Sequence, residues 1–251
     1  MRSAGIVLAG GRSKRMGAPK AALEWHGSTL LARTAGVLAR SVDGPVVVVG
    51  APDQELPDVG AEVVRDPVEG RGPLQGIGAG LAAVAGRAER AFVCSVDLPF
   101  LHPAYVRAVL RALTPGIDVA LPVVGGHHQP LAAAYRTALA SRIDALLTAG
   151  RMRPAMLFAE VEVRRLGRGD LLADAELAAA DPRLASLDDV DSPEQYRVAR
   201  AVEPPEVAVG TARVRAATPA GAAALLGLPA LRLVDGPDGP DVPLVAGDEL
   251  R

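Results

Sequence analysis

Leu8-Ala9-Gly10-Gly11-Arg12-Ser13-Lys14-Arg15-Met16-Gly17-Ala18-Pro19-Lys20 is the stretch on which the reading of this chain turns. The apolar run Ile6 to Ala9 leads into it as the end of a buried strand, and the chain then passes into glycine, cation and hydroxyl before any helical pattern begins. That is the construction of a phosphate-binding loop. Gly10 and Gly11 have no Cβ to hold the backbone away from an anion, so amide N–H groups can face phosphate oxygens. Arg12, Lys14, Arg15 and Lys20 add charge, the arginines as planar forks and the lysines as compact point charges. The chain has 27 basic residues, yet only Lys14 and Lys20 are lysines. Their shared address marks a loop that needs a flexible ammonium; the plain alternative is a solvated turn.

Spacing excludes two familiar glycine loops. A G-x-x-x-x-G-K-[ST] loop needs a Lys-Ser/Thr pair after its last glycine, whereas Gly17 is followed by Ala18-Pro19. The dinucleotide fingerprint G-x-G-x-x-G fails because Gly10 and Gly11 are adjacent. Composition narrows the classes further. Hydrophobic residues make up 49% of the 251, enough for a full core, but aromatics are only 3%, so that core is built from Val, Leu, Ile and Ala. A formal net charge of −2 provides no global field for nucleic acid or an anionic membrane, so neither is expected as a partner. Cys94 is the one cysteine, which excludes an intrachain disulfide framework; its place in Ala91-Phe92-Val93-Cys94-Ser95-Val96 suits a strand in the core. No apolar run approaches the roughly 18 residues of a membrane span, and the start lacks a signal-peptide pattern, so a cytoplasmic location is expected.

Taken in order, the pattern alternates strand and helix. Leu23 to Gly27 reads as a short extended piece, Ser28 or Thr29 as the cap of a helix to about Arg40, and Val46 to Val49 as a strand covered on both faces. A strand at Ala61 to Arg65 leads to Asp66 and a glycine-rich loop, with a helix expected from near Gly76 to Gly86. The run Ala91 to Val96 ends at Asp97-Leu98-Pro99, where proline stops the strand and leaves a carboxylate at its C-terminal end, the edge at which open parallel sheets bind ligands. A helix from Pro103, a strand at Ile117 to Leu121, a turn over Gly125 to Pro130 and a strand at Leu131 to Tyr135 follow. Then come a helix over Thr137 to Ala149, a strand within Glu160 to Leu166, an alanine-rich helix over Leu171 to Ala180, and a helix capped by Ser192 with Pro193 in its first turn. The spacing argues for a doubly wound, mostly parallel α/β sheet over residues 1–203, with 204–251 as a small appendage of no assigned chemistry.

The opening loop resembles the G-G-x-S-x-R-M-G-x-x-K signature of nucleotidyltransferases of the molybdenum cofactor guanylyltransferase type, and every fixed position is present. The resemblance covers about residues 4 to 202 and implies the three-layer αβα fold of nucleotide-diphospho-sugar transferases. It implies transfer of GMP from GTP to the phosphate of a molybdopterin-type acceptor, with pyrophosphate leaving. Molybdoenzymes or other cofactor-biosynthesis proteins are then the implied protein partners. Such a reaction brings two anions together, so the protein has to neutralise charge and align the nucleophile. Mg²⁺ is the expected cofactor, held by one or two carboxylates.

The resemblance assigns Leu8, Ala9, Gly10, Gly11, Arg12, Ser13, Lys14 and Lys20 to the nucleotide, with Arg15, Lys20 and Asp97 catalytic. Asp97, within V-D-x-P, is the implied metal ligand, against a turn or capping role. Asp189 and Asp191 share a side if extended and can close on the same metal, or they serve as acids at a helix N-terminus. The family shows N-x-N-T-P or D-x-D-T-P where this chain has Asp189-Val190-Asp191-Ser192-Pro193. Asp66 with Gly72-Pro73-Leu74-Gln75-Gly76 resembles the D-x(n)-G-P-L-x-G segment, in which the aspartate and Gly76 approach the nucleotide. An asparagine frequent after the family's second strand falls at Gly50. The segment His128-Gln129-Pro130-Leu131 resembles the acceptor-side H-P-L loop with one residue inserted, with a plain turn as the alternative. Arg151 and Arg153 match a basic acceptor-side segment, or are a solvated charge pair. A cofactor cytidylyltransferase, a sugar-1-phosphate nucleotidyltransferase and a binding module without turnover are the other readings.

Overall fold

The runs of β-branched and small apolar residues become the inner strands of one sheet, because such residues fill a pleated surface covered on both sides. The computed structural model of the chain describes residues 1–10, 16–66, 68 and 70–251. In chain order these form β1 (Ser3–Leu8), β2 (Glu24–Trp25), β3 (Ser28–Thr29), α1 (Leu30–Ala39), β4 (Val46–Gly50), β5 (Glu62–Arg65), α2 (Pro73–Val84), β6 (Arg90–Ser95) and α3 (Pro103–Ala112). There follow β7 (Val119–Val124), β8 (His127–His128), β9 (Ala132–Arg136), α4 (Leu139–Thr148), α5 (Pro154–Phe158), β10 (Val163–Leu166), α6 (Arg168–Leu172), α7 (Ala175–Ala180) and α8 (Pro193–Arg200). The C-terminal part adds β11 (Glu206–Val209), β12 (Ala212–Arg215), α9 (Pro219–Leu226) and β13 (Glu249–Leu250).

The main sheet runs β10-β7-β9-β6-β1-β4-β5, with β8 hairpinned onto β7. Neighbours pair parallel except β9, which is antiparallel to both β6 and β7. Alternation along β1 sorts the core. Val7 faces α1 and α3 in a cluster with Leu31, Leu38, Tyr105 and Val109, while Ile6 and Leu8 face α2 and α4 with Ile77, Leu81 and Ile143. The result is the doubly wound, three-layer arrangement. Cys94 lies fully buried among the first of these clusters, and burial pushes its thiol well above the ordinary range.

Three local expectations change. Leu23 to Gly27 is not simply extended: His26 (φ 49°) and Gly27 (φ 88°) form the two-residue turn of the β2–β3 hairpin, both in the left-handed region that a type I′ turn requires. The second long helix starts at Pro73 rather than near Gly76, because Gly72 takes φ 85° just before it and proline is pre-set for the first helical position. The alanine-rich helix is split, since Asp174 leaves helical geometry to accept from the Leu177 N–H at 3.1 Å and so caps a new helix.

Residues 206–250 fold onto a small cluster of their own, including Val207, Ala222, Leu244 and Leu250. They are bound to α1 and to Arg40, the residue that caps its C-terminus. Arg40 makes a bidentate pair with Asp248 at 2.6 and 2.8 Å, both side chains about nine-tenths buried. Arg33 donates to the Leu244 carbonyl at 2.7 Å. At Gly36 a Cβ would lie 2.3 Å from the ring of Pro243, so glycine is what admits the C-terminal segment. Among the described residues no helix is long and apolar enough to cross a membrane.

Candidate active site

Lys20 sits in a single 3-10 turn after Pro19, and Asp97 just past β6, next to β1 in the sheet. The topology therefore carries both to one edge. Lys20 Nζ donates to Asp97 Oδ2 at 2.7 Å and to Asp191 Oδ1 at 2.5 Å, joining residues 77 and 171 positions away. The lysine and Asp97 side chains are only 14% and 16% exposed, and Asp191 is 39% exposed. Burial alone would lower the lysine's pKa, but hydrogen bonds and charge from Asp191 and Asp97 outweigh it, and the net displacement is upward. The ammonium thus persists throughout the neutral range.

Asp191 is brought here by backbone. The Val190 N–H donates to the Asp97 carbonyl at 3.0 Å, and Val190 itself is buried, which pins the Asp189–Asp191 segment against the end of β6. Asp189 lies close enough that burial, then the charges of Asp191 and Asp97, raise its carboxyl above the usual range. Ser192 caps α8 through the Gln195 N–H at 3.2 Å, while the Gln195 side chain accepts from the Asp191 N–H at 2.9 Å. Among the described residues no three His, Cys, Asp or Glu side chains form a closed metal cage. Among the described residues the arrangement is two carboxylates converging on the Lys20 ammonium.

A second cluster flanks β1. Leu8 is buried, and a Cβ at Gly76 would touch its methyls at 3.4 Å and Asp66 Oδ2 at 3.9 Å, so the glycine brings α2 down onto the strand end and the carboxylate. Gln75, 3% exposed, donates from Nε2 to Asp66 Oδ1 and to the Val68 carbonyl. Burial raises the Asp66 carboxyl and the Gln75 hydrogen bond partly offsets it. The expectation that the Gly10 amide faces phosphate needs correcting. Its N–H donates to the Val49 carbonyl at 3.2 Å, shared with the Ala9 N–H at 2.8 Å, so that amide prolongs the β1–β4 ladder. Gly10 instead permits close approach, for its Cβ would lie 3.3 Å from the Ala51 nitrogen. The Ala9 carbonyl is held by Gln54 Nε2 at 2.9 Å, a tie that no motif announced. At Gly50 a Cβ would meet the ends of two flexible side chains, Leu56 at 2.8 Å and Arg65 at 3.0 Å. Gly11, Arg12, Ser13, Lys14 and Arg15 lie outside the described residues.

Two of the acceptor-side candidates, His128 and Arg153, flank α5. His128 is edge-on to Phe158 of α5, ring centroids 6.1 Å apart, and Arg153 precedes that helix. The Met152 carbonyl comes within 3.7 Å of the Cβ position of Gly72, at the start of α2. Arg151 pairs with Glu160, which Arg142 also contacts and which these arginines hold below the usual carboxylate range. Arg151 is thus already engaged, whereas Arg153 has no ion-pair partner among the described residues.

The family model for the MobA-like NTP transferase domain matches residues 5–163. A probable molybdenum cofactor guanylyltransferase of Mycobacterium avium strain 104 is 46% identical over 154 residues, 60% of this chain and 77% of that protein. The protein so named in Mycobacterium tuberculosis H37Rv is 42% identical over 171 residues, covering 66% and 84% respectively. Among solved structures, molybdopterin-guanine dinucleotide biosynthesis protein A of Archaeoglobus fulgidus aligns over 79% of this chain and 97% of its own, with a TM-score of 0.62 and 20% identity, a likeness of fold.

Proposed function

We infer the reaction from one premise, that this chain belongs to the MobA-like NTP transferase family. It is a nucleotidyltransferase of molybdenum cofactor biosynthesis, and the donor it takes is GTP. The acceptor is the phosphate of a molybdenum-pterin, the product is the guanine dinucleotide form, and pyrophosphate leaves. The observation that carries the reading is the Lys20 ammonium, Nζ, held between Asp97 and Asp191 at the strand-end edge. A half-buried pair of carboxylates that already gathers positive charge suits a reaction in which a polyanion is attacked by an anion.

The donor set fits a hard divalent cation, since it offers carboxylate oxygens and no sulfur or imidazole. Asp97 and Asp191 would hold it, with Asp189 nearby, and Mg²⁺ is the ion proposed. When bound, it supplies neutralisation of the triphosphate oxygens. Lys20, released from one carboxylate, donates to the phosphates and balances charge on the departing pyrophosphate. Arg15 and Lys14, with Arg12 and Ser13, complete the cradle. Asp66, Gln75 and Gly76 form the wall against which the nucleoside rests, and His128 and Arg153 orient the acceptor phosphate, with Arg151 as their support.

The acidic form of Asp189-Val190-Asp191-Ser192-Pro193 favours one competitor, a cytidylyltransferase acting on the same cofactor. Pyrophosphate release measured with each of the four NTPs, with and without molybdopterin, separates the two. Release with GTP alone among the nucleotides, and only with acceptor present, is the expected result; preference for CTP would replace the donor, and release with a sugar 1-phosphate would replace the acceptor.

A further inference from the structure

A cleft of about 170 Å³ opens where four segments meet. Trp25 and His26 come from the hairpin after Lys20, Phe100 and His102 from the loop after Asp97, Arg33 from α1, and Ala217 from the C-terminal part. At roughly 30 Å³ per water it has room for about five waters, far too little for a nucleotide.

Its wall carries an unbalanced charge. Arg33 and Arg40 lie two turns apart on one face of α1, yet the carboxylate nearby, Asp248, is taken in a bidentate pair by Arg40. Arg33 satisfies Nε on the Pro99 carbonyl at 3.2 Å and Nη1 on the Leu244 carbonyl at 2.7 Å. Among the described residues its Nη2 has no acceptor, and no carboxylate lies within ion-pair distance of it. Glu203, the carboxylate lining the cleft, is exposed and paired with Arg215 at 3.2 Å. A cation partly withdrawn from water without a counter-ion is unfavourable unless something anionic joins it. The burden shows in the guanidinium itself, which burial pushes down to about 10.

An unused donor stands behind the same wall, closed off from solvent. His102 Nδ1 accepts from the Ala104 N–H at 3.1 Å, so the ring proton is on Nε2. That Nε2 is enclosed and has no partner. Trp25 and Phe100, edge to face at 5.7 Å, close the apolar side.

We propose that this cleft binds a small tetrahedral oxyanion of the phosphate class, with Arg33 as the charged donor. The site is separate from the nucleotide cleft and does not depend on the guanylyl-transfer reading. It is mechanically linked to it, because Arg33 holds the carbonyl two residues beyond Asp97 and Trp25 follows closely on Lys20. Occupancy therefore stiffens both loops from behind.

Trp25 is the one tryptophan in the chain and lines the cleft, so its fluorescence reports occupancy. Titration of the full chain with inorganic phosphate, without nucleotide or metal, should give a saturable change in that signal. Methyl phosphate in a parallel titration distinguishes an esterified from a free ligand, and either one binding supports the site. Arg33→Gln should weaken binding at least tenfold, as should Ala217→Leu, which fills the cleft and leaves every bond of Arg33 in place. Lys20→Ala should bind phosphate as the wild type does. The proposal is overturned if the wild type gives no saturable change, if either cleft variant binds undiminished, or if Lys20→Ala abolishes the response, which would put the anion at the catalytic loop. Should Arg33→Gln fail the circular-dichroism check for folding, Ala217→Leu decides.

Discussion

Lys20 has two roles that a single substitution separates. As the cation between Asp97 and Asp191 it keeps two carboxylates close together, and as a donor to phosphate it serves the reaction. Lys20→Ala should lower kcat by about 10²–10³-fold, the typical cost of one preorganised charge donor. The same variant should bind Mn²⁺ more tightly without nucleotide, because the ion no longer competes with an ammonium; calorimetry showing unchanged or weaker binding would contradict this. Asp97→Asn should lose turnover to a similar degree with its circular dichroism unchanged. His102 gives a pH prediction. Burial, chiefly, holds its pKa at about 4, below the 6.5 of an unfolded histidine. The unfolded chain therefore binds the extra proton between pH 6.5 and 4, and stability falls as the solution is acidified through that window. His102→Asn keeps a cap for α3 and removes the titration, so the urea-derived stability of the variant should decline less steeply than that of the wild type between those values.

At the scale of elements, α2 is the helix whose sequence answers most directly to its surroundings. Gly80 lies where a Cβ would be 2.5 Å from Ile6 and 3.2 Å from Val49, and Gly78 where one would be 2.7 Å from Ile143. These glycines cost helix propensity and gain contact with the sheet and with α4. Gly80→Ala should destabilise by up to about 2 kcal/mol, overpacking of roughly 1–3 kcal/mol set against a propensity gain near 1. Gly169, in α6, has open space and ordinary φ, so Gly169→Ala should stabilise by about 0.5–1 kcal/mol. Urea midpoints moving in the same direction for both would refute the packing account.

For the whole molecule, the joint between α1 and the C-terminal part rests on the Arg40–Asp248 pair, with side chains 8% and 10% exposed. Asp248 also accepts from the Val245 N–H at 2.8 Å. Asp248→Ala leaves Arg40 charged and enclosed, and should cost about 3–5 kcal/mol of the C-terminal part's attachment. Proteolysis after residue 203 should become faster, while the main sheet keeps its hydrogen-exchange protection. Loss of protection throughout would mean that the two parts unfold as one.

The alternation of strand and helix, the two-sided burial of β1, β4 and β6, the loop after β1 and the carboxylate after β6 were all legible in residue order, because side-chain period and turn chemistry are local. So was the candidate site at the level of segments. Residue order showed a strand returning from the turn over Gly125 to Pro130, but it did not tell that β9 is inserted between β6 and β7 and pairs antiparallel with both, since sheet order depends on which edge is free. It did not tell that the Gly10 amide is absorbed by Val49, that Gln54 and Gln75 brace the loop and Asp66, or that Arg33 lacks a carboxylate while Arg40 holds one. Apart from the Gln75–Asp66 tie, which spans nine residues, each of those is a choice among partners tens of residues away. Local sequence sets what a segment can donate or bury, and only closure of the fold settles which distant group it meets.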